Sequence, residues 1–323
     1  MKARCRTGTT FKAGLLAVLL IVAVAPAVGG VSAQEDTPTI VNAEDLGLPE
    51  IVITATDEGW DAPGELAAGR YLVTVTYEGD RPYGTTAFAL LPDDWTIDDF
   101  NARLSGGSQP DGDEATPSSD VSSTVSEPDI SWIYELTLAG GVSPTPGATA
   151  QGIVDLTAGN WAIWADDFSP EAIPLTVTGE VPAVQSIPES DVTITGVSDD
   201  GVFAFQVDGT ISSDLQIIEI INESSQPMFI EFLKLSSAVS AEQLKGFLIT
   251  PSGLAPDPAL ALPDDFGYEV TPFYSAIQSD GVRQWLVTSF EPGAFGMVCW
   301  LPDPEHGNAS HASQGMIATF EVS

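Results

Sequence analysis

The chemistry in this chain gathers near its end, in the run PGAFGMVCWLPDPEHGNASHASQGMIATFEVS that begins at Pro292. Cys299 ends an apolar stretch, His306 and His311 follow in a polar loop, and Met316 opens the last β-rich segment. A thiolate, an imidazole and a thioether on one loop between two strands form a soft donor set, and soft donors select copper. Met228, in Gln226-Pro227-Met228-Phe229-Ile230, offers a second thioether from an earlier strand. Two thioethers, one thiolate and one imidazole favour Cu(I), and His306 is the candidate substitute should a second nitrogen be required. The same residues have a plainer use, because buried cysteine and methionine are ordinary hydrophobes. A lone Cys299 could also pair with another chain.

Short runs rich in β-branched residues must position these groups. Ile51-Val-Ile-Thr-Ala-Thr56, Tyr71-Leu-Val-Thr-Val-Thr-Tyr77, Val192-Thr-Ile-Thr195, Leu215-Gln-Ile-Ile-Glu-Ile-Ile221 and Ile317-Ala-Thr-Phe-Glu-Val322 alternate in polarity and are separated by Gly, Pro, Asp and Ser. That pattern predicts antiparallel sandwich sheets. The elements also recur in order. PEIVITATDEGW answers to SDVTITGVSDDGVF, YLVTVTYEGDRPYGTTAFALL to LQIIEIINESSQPMFIEFLKL, and QGIVDLTAGNWAIWA to RQWLVTSFEPGAFGMVC. Each half has one helix start of capping-box type, Thr96 to Asp99 and Ser240 to Gln243, the second expected to be the better because Gln stands at N3. Five ordered correspondences indicate a duplication.

Here the sequence resembles the cupredoxin family, the plastocyanin-like blue-copper fold. In that family a strand ending in cysteine leads through a loop to histidine and then methionine, as Cys299, His311 and Met316 do after Pro292-Gly293-Ala294-Phe295. The resemblance implies an all-β chain of two tandem cupredoxin-like Greek-key sandwiches, with copper as cofactor and metal ligands at Cys299, His311, Met316 and Met228. Methionine replaces the histidine the family places after the proline at this point. In the first half Tyr83 stands where Met228 does and Ala165 where Cys299 does, so no copper site is expected there.

The chain opens with Lys2, Arg4, Arg6 and Lys12 ahead of an apolar stretch ending at Val31-Ser32-Ala33, which reads as a signal peptide over residues 1–33. A polar leader over 34–48 precedes the first sandwich, 49–182. That sandwich carries a Ser, Asp, Pro and Gly rich insert at about 105–129, expected to be mobile, and the second covers 188–323. The expected location is secreted or extracytoplasmic, with no membrane span once the signal is removed.

Removing that segment takes four of the ten Lys and Arg and no acid, so the formal charge moves from −36 to −40. Such a field repels phosphate backbones, which excludes nucleic acid and leaves a redox or cell-surface protein as the expected partner. Two histidines are too few for the multi-imidazole centres of copper enzymes, and no Gly-x-Ser-x-Gly elbow or HExxH helix is present, so no enzymatic activity is expected. The alternative to a copper protein is a non-metal sandwich for surface interaction. Its handle would be the seven tryptophans, most of them expected in the core.

Overall fold

The computed structural model describes residues 41–81, 86–105, 131–165, 171–183, 185–186, 188–249, 260–263 and 265–323. The expected signal segment, Tyr83 and the expected insert from residue 106 on lie outside the described residues. Among those described, no helix is long and apolar enough to cross a membrane.

In the first half the elements are α1 (Ala43–Leu46), β1 (Glu50–Ala55), β2 (Trp60–Asp61), β3 (Glu65–Ala67), β4 (Gly69–Tyr77), β5 (Thr86–Leu90), α2 (Ile97–Leu104), β6 (Thr137–Pro144), β7 (Thr149–Leu156), β8 (Gly159–Trp164) and β9 (Ile173–Thr178). In the second they are β10 (Val192–Asp199), β11 (Val202–Gly209), β12 (Gln216–Glu223), β13 (Glu231–Leu235), α3 (Ala241–Ile249), β14 (Tyr268–Val270), β15 (Phe273–Ser275), β16 (Arg283–Thr288), β17 (Gly293–Val298), β18 (Pro302–Asp303), β19 (Ala309–Ser310) and β20 (Ile317–Val322). The fold is all-β, as the alternation indicates. Ile51, Ile53 and Ala55 of β1 point inward while Glu50 and Val52 are exposed, and β10 alternates in the same way.

Strand order repeats between the halves. One sheet runs β11-β10-β12-β16-β7-β4-β1-β2, so β2, β1, β4 and β7 of the first half mirror β11, β10, β12 and β16 of the second. In both halves the opening strand lies parallel to a later one, β1 to β4 and β10 to β12. The facing layers are β14-β13-β17-β20 and β15-β6-β5-β8-β9-β3. The joint sheet and its facing layers make each half an all-β sandwich.

The two sandwiches are fused through the sheet. β16 pairs antiparallel with β7, joining Trp285 to Ile153, Leu286 to Gly152 and Val287 to Gln151. β15 crosses to pair with β6 of the first half. Arg70 clamps this junction: its guanidinium holds Asp155 at 2.7 Å on both oxygens, donates to Ser186 O at 2.9 Å and lies 4.4 Å from the Trp285 ring centroid. Pro38–Ser323 accordingly holds together as one unit. Strand β4 is buried on both faces because a second apolar layer, Leu48, Leu72, Ile153, Trp285 and Val287, covers the outside of the joint sheet. Val41, Ala43 and Leu46, within the segment that reads as a polar leader, pack against that layer.

Helices α2 and α3 begin where the capping pattern places them. Thr96 accepts from Asp99 N at 3.2 Å while the Asp99 carboxylate accepts from Thr96 N at 2.8 Å, and Ser240 and Gln243 exchange the equivalent bonds at 3.2 and 3.0 Å. The first box is therefore as complete as the second, because the short Asp99 carboxylate also reaches the Thr96 hydroxyl at 2.6 Å.

Candidate metal centre

Cys299 follows β17 directly. Its backbone is fixed by Cys299 N donating to Met316 O at 3.2 Å and Ala312 N donating to Cys299 O at 2.8 Å. The stretch to His311 folds on itself: β18 and β19 pair Pro302 with Ser310 and Asp303 with Ala309, and the turn uses positive φ at Gly307 (71°) and Asn308 (60°). His311 N then donates to Leu301 O at 2.8 Å, and Met316 N donates to His311 O at 2.9 Å. Thiol and imidazole are brought face to face by this hairpin. The Cys299 Sγ to His311 Nδ1 separation is 3.6 Å, and both side chains are fully buried.

Burial pushes the Cys299 thiol up to about 12, against backbone N–H groups of Phe229 and Leu301 that favour the thiolate. Without a metal the group is a thiol at neutral pH. Burial pulls His311 down to about 4, although the Asp303 charge works the other way, so its ring is neutral. Phe203 stacks on that ring at 4.0 Å with 13° between the planes.

The proton on His311 can be placed by elimination. Asp303 is fully buried; burial raises its pKa, but bonds from Gln226, Gln314, His306 and Glu305 N outweigh this and hold it at about 2. An ionised carboxylate only accepts, so the Gln226 amide turns its nitrogen to Asp303 Oδ1 (2.8 Å) and its oxygen to His311 Nε2 (3.0 Å). Nε2 therefore carries the hydrogen. Nδ1 keeps a lone pair and aims it at Cys299.

The two methionine side chains meet beside Gly196 on β10. Met228 and Met316 are fully buried, and a Cβ placed on Gly196 would lie 2.1 Å from Met228 Sδ and 2.9 Å from Met316 Cε. Glycine at 196 makes the space both side chains occupy. His306 is not brought to the thiol: its side chain is 52% exposed and its Nδ1 bonds Asp303 Oδ2 at 2.5 Å, on the solvent side of that carboxylate. In the first half Ala165 follows β8 as Cys299 follows β17 and is buried.

The Cys299 and His311 donors are spaced as two ligands of one metal ion would be. Bonds of about 2.3 Å to sulfur and about 2.0 Å to nitrogen, at a tetrahedral angle, set those atoms about 3.5 Å apart, close to the 3.6 Å present here. Among the described residues no group of three or more His, Cys, Asp or Glu could hold a metal, so a centre here needs the thioethers. Of the residues expected from sequence, the structure brings Cys299 and His311 together, while Met228 and Met316 lie beside Gly196. Sequence reasoning misses Gln226, Asp303, Phe203 and Gly196, although Gln226-Pro227 stands directly before Met228.

No protein-family model matches the chain, and no curated protein is similar to it. Solved structures similar to it include a multicopper oxidase, 16% identical over 85% of this chain and 88% of that one, with a TM-score of 0.21. An auracyanin from the photosynthetic bacterium Roseiflexus castenholzii is 18% identical, covering 41% of this chain and 96% of that one at a TM-score of 0.23. A copper nitrite reductase from Nitrosomonas europaea is 12% identical over 85% and 93% at 0.22.

The fold is all-β and cupredoxin-like. That class rests on the strand order above, since likenesses at these scores carry no argument about activity. The expectation of no enzymatic activity is nevertheless withdrawn, because a multicopper oxidase and a copper nitrite reductase stand among the similar structures. Of the tryptophans, Trp132, Trp161, Trp164 and Trp285 are buried, and none of the other three is an exposed large hydrophobic. The core reading holds for those four.

Proposed function

We propose that this protein is an exported, copper-binding protein of two tandem sandwiches, 49–182 and 188–323, whose second half holds copper for carriage or electron transfer. Cys299, His311, Met316 and Met228 are the ligands in this reading. One observation carries it: a buried thiol and an imidazole lone pair face each other at 3.6 Å. The bound metal would supply a soft, one-electron centre shielded from water, and the donor set favours Cu(I). The chain's own part is to present Nδ1 and Sγ, to give up the Cys299 proton on binding, and to keep water out with Phe203 and Met228. A redox or cell-surface protein is the partner in this reading, and the strongly acidic surface works against nucleic acid.

One observation favours a second reading, a non-metal sandwich for surface interaction. The Cys299 thiol can donate to Nδ1, so the Cys299, His311, Gln226 and Asp303 chain closes without any metal. Anaerobic loading with Cu(I) followed by desalting separates the two. One copper retained per chain is expected, and a metal-free protein after loading would leave the second reading standing.

A further inference from the structure

We infer that Asp303, acting through Gln226, is a positioning pair that decides which nitrogen of His311 carries the proton, so that Nδ1 always presents a bare lone pair to Cys299. Its purpose rests on the proposed copper site; its geometry does not.

Asp303 accepts from Gln226 Nε2 (2.8 Å), Gln314 Nε2 (3.0 Å), Glu305 N (2.9 Å) and His306 Nδ1 (2.5 Å). All four partners are used as donors, which is what a carboxylate requires. The Gln226 side chain is buried between Asp303 and His311 and has only two orientations that keep both contacts. Reversing it would aim its carbonyl at the carboxylate and its NH2 at the Nε2–H of the imidazole, opposing two like partners in a low-dielectric interior. Phe203 stacked at 4.0 Å and the His311 backbone bonds to Leu301 and Met316 hold the ring plane, leaving the tautomer as the remaining freedom. A primary amide relays no proton under ordinary conditions, so the series from His306 to Cys299 orients the imidazole and does not conduct protons to the thiol. Fixing the other ring nitrogen in this way is how an outer partner prepares a histidine to bind metal.

The Cys299 thiol could hold the same tautomer by donating to Nδ1, so the test is made in a Cys299→Ala background without metal. Nitrogen NMR of the two imidazoles, assigned with His306→Ala, reports which ring nitrogen is protonated. Cys299→Ala alone should show His311 as a single Nε2–H tautomer, and His306→Ala should leave that unchanged. Adding Asp303→Asn lets the Gln226 amide turn over, and adding Gln226→Met removes the acceptor; each should lose the single-tautomer signature. If Asp303→Asn does not fold, Gln226→Met decides. A single Nε2–H form persisting in these variants, or an Nδ1–H form in the parent, overturns the inference. In the chain with Cys299 intact, Gln226→Met should weaken Cu(I) binding by about 10- to 100-fold. A fixed tautomer with no copper bound would sink the copper reading and leave the positioning pair standing; copper bound with the tautomer indifferent to both variants would do the reverse.

Discussion

His311 and Asp303 both make the fold sensitive to acid, in separate windows. His311 sits at about 4 in the folded protein against an ordinary 6.5, so below 6.5 the unfolded chain binds a proton that the folded one refuses. Stability then falls as pH drops from 6.5 to 4, by on the order of 3 kcal/mol. Asp303 sits at about 2 against 3.8, so its contribution is complete above 3.8 and is lost as pH falls towards 2, on the order of 2 kcal/mol. Urea midpoints at pH 7, 5 and 3 should fall in turn. His311→Gln should flatten the step between 7 and 5; an unchanged step there would show that the imidazole is not held neutral. At this scale the sequence discloses the ligands, because cysteine, histidine and methionine are rare here and announce soft chemistry. It conceals their orienters. Gln226 lies 77 positions from Asp303 and 85 from His311, and one aspartate among forty-six acids carries no mark of its burial.

Gly196 on β10 is the point where Met228 and Met316 pack against the joint sheet. Gly196→Ala would drive a methyl group to 2.1 Å from Met228 Sδ, forcing both methionines to move. A loss of about 1–3 kcal/mol is expected from overpacking, read from denaturant midpoints, together with weaker copper retention. Unchanged stability would show the methionines free to relax elsewhere. Alternation made the outer strands legible, since β1 and β10 each bury one face. It could not show why β4 is buried on both sides, because the covering layer comes from Trp285 and Val287 of the other half and from residues 41–48. The gap between Cys299 and His311 likewise reads as a loop, and its two short strands are fixed by Gly307 and Asn308 at positive φ.

At the scale of the molecule, the repeat in sequence becomes a repeat in strand order, with the halves joined edge to edge through β16 and β7. Ordered correspondences in the sequence lead one to expect two like halves, whereas the fused sheet depends on pairings between distant strands that no local pattern encodes. The shared sheet predicts cooperative unfolding: tryptophan fluorescence and circular dichroism should report one coincident transition, and two separated transitions would mean the halves are independent. Tyr134 of the first half also donates to Pro302 O, within the hairpin that carries the ligands. The whole chain therefore frames the site, and the most direct test uses the whole chain. Cu(I) competition titrations of the unsubstituted protein, Cys299→Ser and His311→Ala should show one copper bound per chain in the first and loss of that copper in both variants. Copper bound as tightly by Cys299→Ser as by the unsubstituted protein would contradict the account.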